Sequence, residues 1–247
     1  MKNSDRWKPS KFVFIKGKLR ASRNENEVTI SSRFVADLVA AHYDQYLRGH
    51  VTGRLVDLGC GKVPLYHAYQ KLASQCICAD WQSTIHKNPF LDITCDLNKQ
   101  LPFNTNEFNT IILSDVMEHI AKPESLWLEM SRILQPKGKI ILNVPFFYKL
   151  HEIPHDYFRY TRYALENFAN TTGFKIVLLQ ELGGLPEILT DLTAKYVFHL
   201  PVVGRFFSIL IQHLGSLFIH TGIGKKISQK TKEHFPLGYF MIVEKVS

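Results

Sequence analysis

Cysteine is scarce in this sequence, and its spacing excludes several kinds of site. The chain has four cysteines among 247 residues, and no two of them form a C-x-x-C pair. Such pairs supply the ligands of zinc knuckles and the thiols of redox motifs, so neither kind of site is favoured. We expect reduced, buried thiols, as is usual in the cytoplasm. The four residues are Cys60, Cys76, Cys78 and Cys95.

Long apolar runs are missing as well. A membrane-spanning helix needs about 20 predominantly apolar residues, and the most apolar part of this chain is interrupted four times. Residues 1–10 are polar and basic, and no apolar core typical of a secretory signal follows them. We therefore expect a cytoplasmic protein, with contact to the inner face of a membrane as the alternative. The interrupting residues are Pro201, Gly204, Arg205 and Gln212.

Acidic residues are outnumbered by basic ones, 22 to 30, which gives a formal net charge of +8. The positive charge is concentrated in residues 2–23 and 225–232. Neither segment interleaves aromatic and basic residues in the manner of an RNA-binding surface, so nucleic acid is not favoured as a partner. Anionic substrates and anionic membrane surfaces both remain compatible with this charge.

The most informative motif also lacks a residue. The run VDLGCG ends a short apolar strand in Asp57 and turns on Gly59 and Gly61, where backbone without a Cβ can approach a ligand closely. A dinucleotide fingerprint would need a third glycine, but Pro64 occupies that place. Asp57 would repel a pyrophosphate and suits a cationic ligand. The second strand ends in Asp80, which is placed to accept hydrogen bonds from a ribose diol.

These residues resemble the first motifs of class I S-adenosylmethionine-dependent methyltransferases. The resemblance implies that Asp57, Gly59 and Gly61 contact the methionine and ribose portion of S-adenosylmethionine and that Asp80 holds the ribose hydroxyls. It further implies that Trp81 lies against the adenine.

The resemblance extends along residues 53–180. It implies that the third strand, with Asp96 and Leu97, contacts the adenine edge, and we also expect Ser114, on the fourth strand, among the cofactor contacts. The fourth strand is followed by a Glu-His pair ending in His119, which we interpret as a helix cap or packing residue. Strands alternate with helices, which predicts an α/β fold with a Rossmann-like, seven-stranded, mostly parallel sheet whose last strand is antiparallel. The predicted elements are a helix over 65–72, a helix over 122–134, a fifth strand over 140–144, a sixth over 174–180 and a seventh over 238–244.

A loop rich in chemistry follows the fifth strand, near the crevice where open α/β sheets bind ligands. It contains HEIPH, a literal H-E-x-x-H zinc-protease pattern, over residues 151–155. That pattern works on a helix, and Pro154 in its interior would cost a helix about 3 kcal/mol. We therefore expect no metal site here.

The same loop resembles the H-x-x-P-x-D-Y-x-R-(Y/F)-T stretch of bacterial methyltransferases that accompany surface-polysaccharide assembly. We expect His155 to accept the proton of the acceptor and Asp156 to orient it, with His151 in the same catalytic set. Arg159 is expected to pin the loop, and Thr161 to cap the next helix.

More than fifty residues separate the sixth and seventh strands, where the family usually has a short hairpin. This insertion, residues 184–236, is apolar and basic, and its apolar residues recur at helical spacing from Phe206 onward. Its helices are expected to form a lid, a homodimer surface or a contact with an anionic membrane.

The sequence therefore predicts an S-adenosylmethionine-dependent methyltransferase, with O-methylation of a sugar or another small polar acceptor as the preferred activity. Methylation of a quinone or lipid ring, and a non-catalytic nucleoside-binding scaffold, remain alternatives. The expected organisation is an N-terminal arm and helix over residues 1–52, a methyltransferase domain over 53–183 and 237–247, and the helical insertion between its two parts.

Overall fold

The computed structural model of the chain describes residues 1–82 and 88–246. Its strands are β1 (Phe12–Ile15), β2 (Lys18–Ala21), β3 (Arg54–Leu58), β4 (Gln75–Asp80), β5 (Ile93–Thr94), β6 (Phe108–Ser114), β7 (Leu134–Pro145), β8 (Phe174–Leu182) and β9 (Gly238–Lys245). Its helices are α1 (Arg33–His50), α2 (Tyr66–Tyr69), α3 (Pro123–Ile133), α4 (Arg162–Thr171), α5 (Leu185–Phe198), α6 (Gly204–His220) and α7 (Gly222–Thr231). Single 3-10 turns occur at Ser4–Arg6, Ile30–Ser32 and Met117–His119.

Seven of the strands form one sheet in the order β5-β4-β3-β6-β7-β9-β8. The pairs from β5 to β7 are parallel, whereas β9 runs antiparallel to both β7 and β8. The predicted α/β fold class, with its antiparallel last strand, is confirmed. The parallel strands β3, β4 and β6 direct their carboxyl ends to the same edge of the sheet, where open α/β sheets bind ligands.

The sheet is covered on both faces because successive strand residues point to opposite sides. Leu55 packs into a core that includes α1 and the β1–β2 hairpin, while Val56 packs into a second core that includes α3 and α4. Trp127 of α3 and Tyr43 of α1 are fully buried in these cores. Because both faces of the sheet are packed, the strand ends that bear the candidate site are held in defined positions.

Some predicted elements differ in length from the observed ones. The helix expected over residues 65–72 is only the single turn α2. It ends because the N–H groups of Leu72 and Ala73 both donate to the carbonyl of Tyr69, which tightens the last turn. The cap of α4 is as expected, since Thr161 Oγ1 accepts the N–H of Ala164 at 3.2 Å. The β1–β2 hairpin was not predicted.

The helices α5, α6 and α7 lie between β8 and β9. Gln212 anchors α6 to the start of α1, accepting the N–H of Phe34 at 2.9 Å and donating to the carbonyl of Ile30 at 2.9 Å. Within the described residues, no single helix meets the length and hydropathy requirements of a membrane span. The helices α6 and α7 meet them only as a pair, bent by 90°.

Candidate active site

A cavity of about 530 Å³ opens where β3, β4 and β6 end. It is lined by the glycine turn after β3, by the ends of β4 and β6, by part of the N-terminal arm and by the loop after β7. All of the predicted cofactor-binding residues line it: Asp57, Gly59, Gly61, Asp80, Trp81, Asp96, Leu97 and Ser114. Residues separated by up to 57 positions in the chain thus meet around one space.

The turn after β3 depends on glycine. Gly59 has φ +69°, and a Cβ on it would lie 2.6 Å from Cγ2 of Val116, so any other residue would force the turn and β6 apart. Gly61 also has positive φ, and its N–H points away from the strand to Asp80 Oδ2 at 2.9 Å. A ligand can therefore approach the backbone of this turn closely at the floor of the cavity.

Asp57 is a buried carboxylate at this floor. The hydroxyl of Tyr69 donates to its Oδ2 at 2.8 Å. Burial raises its pKa to about 7, the hydrogen bond from Tyr69 opposes this rise, and the nearby charge of Asp80 adds to it. Among the described residues, no cation forms an ion pair with Asp57. A cationic ligand would stabilise the charged carboxylate, as the sequence motif suggested.

Asp80 and Trp81 form the opposite side of the turn. Asp80 accepts the N–H of Gly61 at Oδ2 and the N–H of Trp81 at Oδ1, the latter at 2.8 Å. These bonds fix the carboxylate at the end of β4, at the edge of the cavity. Its position suits recognition of a ribose diol.

The remaining predicted contacts have defined partners. Asp96 Oδ1 accepts the backbone N–H and the side-chain amide of Asn98, and the backbone hydrogen bond is the main cause of its lowered pKa. Ser114 donates its hydroxyl to Asn143 Oδ1 at 2.9 Å. Asp96 therefore stabilises its own loop through hydrogen bonds, and any contact with a ligand would be an additional role.

The N-terminal arm supplies cavity residues that the sequence did not reveal. Lys11 lines the cavity and forms an ion pair with Asp115 at 2.6 Å, and Lys62 in the glycine turn pairs with Glu27 at 3.1 Å. The arm was visible only as a stretch of positive charge. No spacing along the chain links Lys11 to a strand end more than one hundred residues away.

The loop after β7 corrects one expectation. Asp156 does not orient His155, because its two oxygens face Arg159 and His151. Arg159 forms a bidentate pair with Asp156, at 2.5 and 2.8 Å, and lowers the pKa of that carboxyl strongly. His151 donates its backbone N–H to Asp156 Oδ2 at 2.9 Å. Asp156 pairs with Arg159 and not with His155 because the two N–H groups of a guanidinium match both oxygens of a carboxylate. Arg159 thus pins the loop, as expected.

His155 itself lines the cavity and faces Trp81, with their ring centroids 5.0 Å apart and the planes nearly perpendicular. Its Nδ1 lies 3.1 Å from the hydroxyl oxygen of Tyr157. His151 is not a lining residue; it lies behind the wall, against Glu118 and His119. Of the three catalytic candidates, only His155 reaches the cavity.

Comparison with known proteins agrees with this arrangement. A family described as a methyltransferase domain matches residues 56–142, about a third of the chain. No curated protein sequence matches the chain.

Solved structures of similar fold cover most of the chain at low identity. A geranyl diphosphate methyltransferase in complex with S-adenosylmethionine is 12% identical, with 91% of this chain and 93% of that one covered and a TM-score of 0.56. A SAM-dependent methyltransferase from Archaeoglobus fulgidus is 16% identical, with 87% and 94% covered and a TM-score of 0.55. A cyclase, SpnF, is 16% identical, with 86% and 82% covered and a TM-score of 0.52. At these identities the structures show the fold alone.

The cavity residues fit S-adenosylmethionine. The glycine turn leaves backbone open, the buried carboxylate of Asp57 suits a cationic group, and Asp80 suits a ribose. Together with the matched domain, these features support a class I S-adenosylmethionine-dependent methyltransferase, an enzyme with that compound as its cofactor.

Proposed function

We propose that this enzyme methylates a hydroxyl oxygen of a sugar or another small polar acceptor. The observation that carries the proposal is the position of His155, a histidine that lines the same cavity as the residues suited to the cofactor. A hydroxyl acceptor needs a base for its proton, whereas many carbon and nitrogen acceptors do not. Histidine is the side chain that most often performs this proton transfer in enzymes.

In this proposal, Asp57, the glycine turn and Asp80 hold the cofactor, whose sulfonium supplies an electrophilic methyl group. The chain aligns the acceptor oxygen with that methyl group, and such positioning accounts for roughly 7–11 kcal/mol of barrier lowering. His155 Nδ1 lies 3.1 Å from the Tyr157 hydroxyl, and in the tautomer with the hydrogen on Nδ1 the Tyr157 oxygen accepts it and Nε2 takes the acceptor proton. This proton transfer contributes about 10²–10⁴-fold to the rate.

The acceptor side of the proposal includes the insertion, residues 184–236. Its helix α6 is amphipathic, but its polar face is buried and its apolar face is exposed. Ser208 and Gln212 are buried against the protein, and large apolar residues face outward. Phe206 is 65% exposed. No residue of the insertion is among the described residues that line the cavity, so the lid alternative lacks support. The exposed apolar residues of α6 are Phe206, Phe207, Ile209, Leu210, Leu214, Leu217 and Phe218.

We propose an anionic membrane surface as the partner of this apolar face. Lys225, Lys226 and Lys230 are exposed on α7, the helix that follows α6, whereas the acidic residues of α5, Glu187 and Asp191, are buried. Exposed lysines beside an apolar helix face match the chemistry of anionic lipid head groups. A surface of this kind would bring the enzyme to a lipid-linked glycan, which is the acceptor class we favour. A homodimer through α6 is the competing outcome.

The proposed function is tested by product formation. Purified enzyme is incubated with S-adenosylmethionine and pools of polar acceptors, including sugars and lipid-linked glycans, and formation of S-adenosylhomocysteine is followed by mass spectrometry. We expect turnover that depends on the acceptor, with a mass increase of one methyl group on a hydroxyl-bearing compound. Turnover only with quinones or lipid rings would favour the alternative activity, and cofactor binding without any turnover would favour a scaffold.

A further inference from the structure

Glu118 is a buried carboxylate behind the cavity wall. Its side chain is 0% exposed, and neither of its carboxylate oxygens has a hydrogen-bond partner among the described residues. A buried carboxylate without a hydrogen bond carries a large desolvation cost unless a proton or a nearby cation compensates its charge. A cation bound beside Glu118 would supply this compensation.

Two histidines direct nitrogen atoms at this carboxylate. His151 Nε2 lies 3.6 Å and His119 Nε2 lies 3.9 Å from Glu118 Oε1. The two nitrogens are 3.2 Å apart. The distances to the oxygen are too long for hydrogen bonds, and the three atoms form a nearly regular triangle.

The size of this triangle matches a metal ion. From the three separations, a point equidistant from the atoms lies about 2.1 Å from each of them. Zinc binds histidine nitrogen and carboxylate oxygen at about 2.0–2.2 Å. This point lies in the plane of the three atoms, so an ion that also keeps a fourth position would draw the three side chains slightly closer together.

The outer contacts of the two histidines resemble those of metal ligands. His119 Nδ1 lies 2.9 Å from the carbonyl oxygen of His155, which accepts a hydrogen from this nitrogen and leaves the lone pair of the neutral ring on Nε2. His151 Nδ1 lies 3.3 Å from Asp156 Oδ2, without a hydrogen bond. A carboxylate that faces the outer nitrogen of a ligand histidine is typical of zinc sites, where it orients the ring. Without an ion, His151 Nε2 and His119 Nε2 share one hydrogen at 3.2 Å, and a bound cation would take the place of that hydrogen.

We propose that Glu118, His119 and His151 bind a divalent zinc ion. Two histidines and one glutamate are a ligand set of zinc sites that keep a coordination position open. Because His119 also lines the cavity, the ion borders the acceptor side of the cavity wall. This inference is independent of the acceptor proposed above, and it replaces the expectation that the chain holds no metal.

The site unites two segments that are distant in sequence. The carbonyl of Glu118 accepts the N–H groups of Tyr157 and Phe158, at 2.8 and 3.2 Å, so the loop after β7 is already attached to the Met117–His119 turn. An ion would strengthen this attachment and fix the loop that carries His155. The H-E-x-x-H pattern had suggested His151 and His155 as a pair, but His151 takes Glu118 and His119 as its partners.

The test is metal binding by the folded, full-length protein. Metal-free protein, prepared by dialysis against a chelator, is titrated with Co²⁺ and its visible absorption followed. The bound Co²⁺ is then displaced with Zn²⁺ in competition with a chromophoric chelator. We expect one equivalent of Zn²⁺ with a Kd below about 1 µM. Glu118→Gln and His151→Asn should each weaken binding by at least about 100-fold, and Asp156→Asn by about 10–100-fold.

His213→Asn is the matched control, since His213 is exposed on α6, and it should bind zinc as the wild type does. Near-ultraviolet circular dichroism and binding of S-adenosylhomocysteine verify that each variant is folded. If Glu118→Gln fails to fold, the partly exposed His151→Asn carries the test. Zinc binding that is unchanged in the folded variants, weak binding shared among several sites, or saturation by Mg²⁺ alone would overturn the proposal.

Discussion

The carboxyl group of Asp57 has a charge that depends on its surroundings. Burial raises its pKa to about 7, well above the value of 3.8 for a free aspartate. Without a ligand, the folded protein therefore keeps a proton on Asp57 at pH values where the unfolded chain has lost it. A cation in the cavity reverses this preference because it stabilises the carboxylate.

Asp57 should make the ligand-free protein less stable as pH rises. Between about pH 4 and pH 7 the folded state binds more protons than the unfolded state, so the contribution of Asp57 to the free energy of unfolding falls across this window, by at most about 1.4 kcal/mol per pH unit. Urea denaturation of the wild type and of Asp57→Asn at pH 4.5 and pH 7.5 measures the effect. The wild type should lose stability relative to the variant at the higher pH.

An exposed aspartate provides the control for this measurement. Asp5 is in the exposed N-terminal turn, so Asp5→Asn should follow the wild type at both pH values. If Asp57→Asn also follows the wild type, Asp57 is ionised in the folded protein and its assignment as a ligand-dependent charge is wrong.

His155 should affect the chemical step rather than cofactor binding. His155→Asn removes the proposed proton acceptor and keeps a side chain of similar polarity, so kcat should fall by about 10²–10⁴-fold. Steady-state kinetics with an acceptor that supports turnover, together with a cofactor titration, separate the two effects. A fall in cofactor affinity with unchanged kcat would show that His155 serves binding, and His213→Asn should change neither quantity.

At the scale of single residues, the sequence predicted which residues of the strand ends line the cavity better than it predicted the contacts of the loop after β7. Asp57, Gly59 and Asp80 follow from strand ends and turn chemistry, which are local features. The sequence did not predict that Arg159 would be the main partner of Asp156, or that Glu118 would lie beside His151. Such competition depends on three-dimensional distances, and the sequence does not contain them.

Among the elements, α6 is the one whose composition and burial disagree. Its polar residues Ser208 and Gln212 are 0% and 9% exposed, while its apolar face is open. Gln212 is buried because it satisfies backbone groups at the start of α1, as buried polar side chains must. The sequence predicted the helix from its periodicity, but not which face would be covered.

Reversing charge next to this face should weaken binding to membranes. Replacement of Lys225, Lys226 and Lys230 by Glu should lower the affinity for phosphatidylserine-containing vesicles by roughly 100-fold or more, since each lysine near such a surface contributes about 1 kcal/mol. Vesicle co-sedimentation at low and high salt measures this, and added salt should weaken the binding of the wild type.

A matched triple replacement tests whether net charge alone is responsible. Lys8, Lys16 and Lys18 are exposed in the N-terminal arm, and their replacement by Glu should leave vesicle binding largely intact. Equal losses in the two variants would point to net charge instead. If the wild type does not bind vesicles and forms a dimer in analytical ultracentrifugation, the partner of the apolar face is a second copy of the chain and the membrane proposal is wrong.

Element prediction succeeded where patterns were long and failed where they were short. The strand β9 contains a continuous apolar run, and its predicted range of 238–244 agrees with the observed strand to within a residue at each end. The hairpin β1–β2 has only four residues in each strand, FVFI and KLRA, which are too few to show a clear periodicity. The single turn α2 was overestimated because Leu72 and Ala73 look helical but close a tight turn.

For the whole molecule, the fold restricts the chemistry without deciding it. The methyltransferases of similar fold and the cyclase SpnF are all 16% identical to this chain or less, so the shared sheet supports several activities. In this chain the sheet carries the candidate cofactor cavity, the loop with His155 and the open apolar helix. These features lie on segments that the sheet positions but does not specify.

The central claim is that the cavity binds a sulfonium nucleoside, and isothermal titration calorimetry tests it directly. Purified, folded protein is titrated with S-adenosylmethionine and with S-adenosylhomocysteine. We predict saturable binding with one site per chain, and an Asp80→Ala variant weakened by about 10–150-fold, the loss expected for hydrogen bonds to a charged group. Absence of heat and of competition with either compound, in protein shown to be folded, would contradict the account.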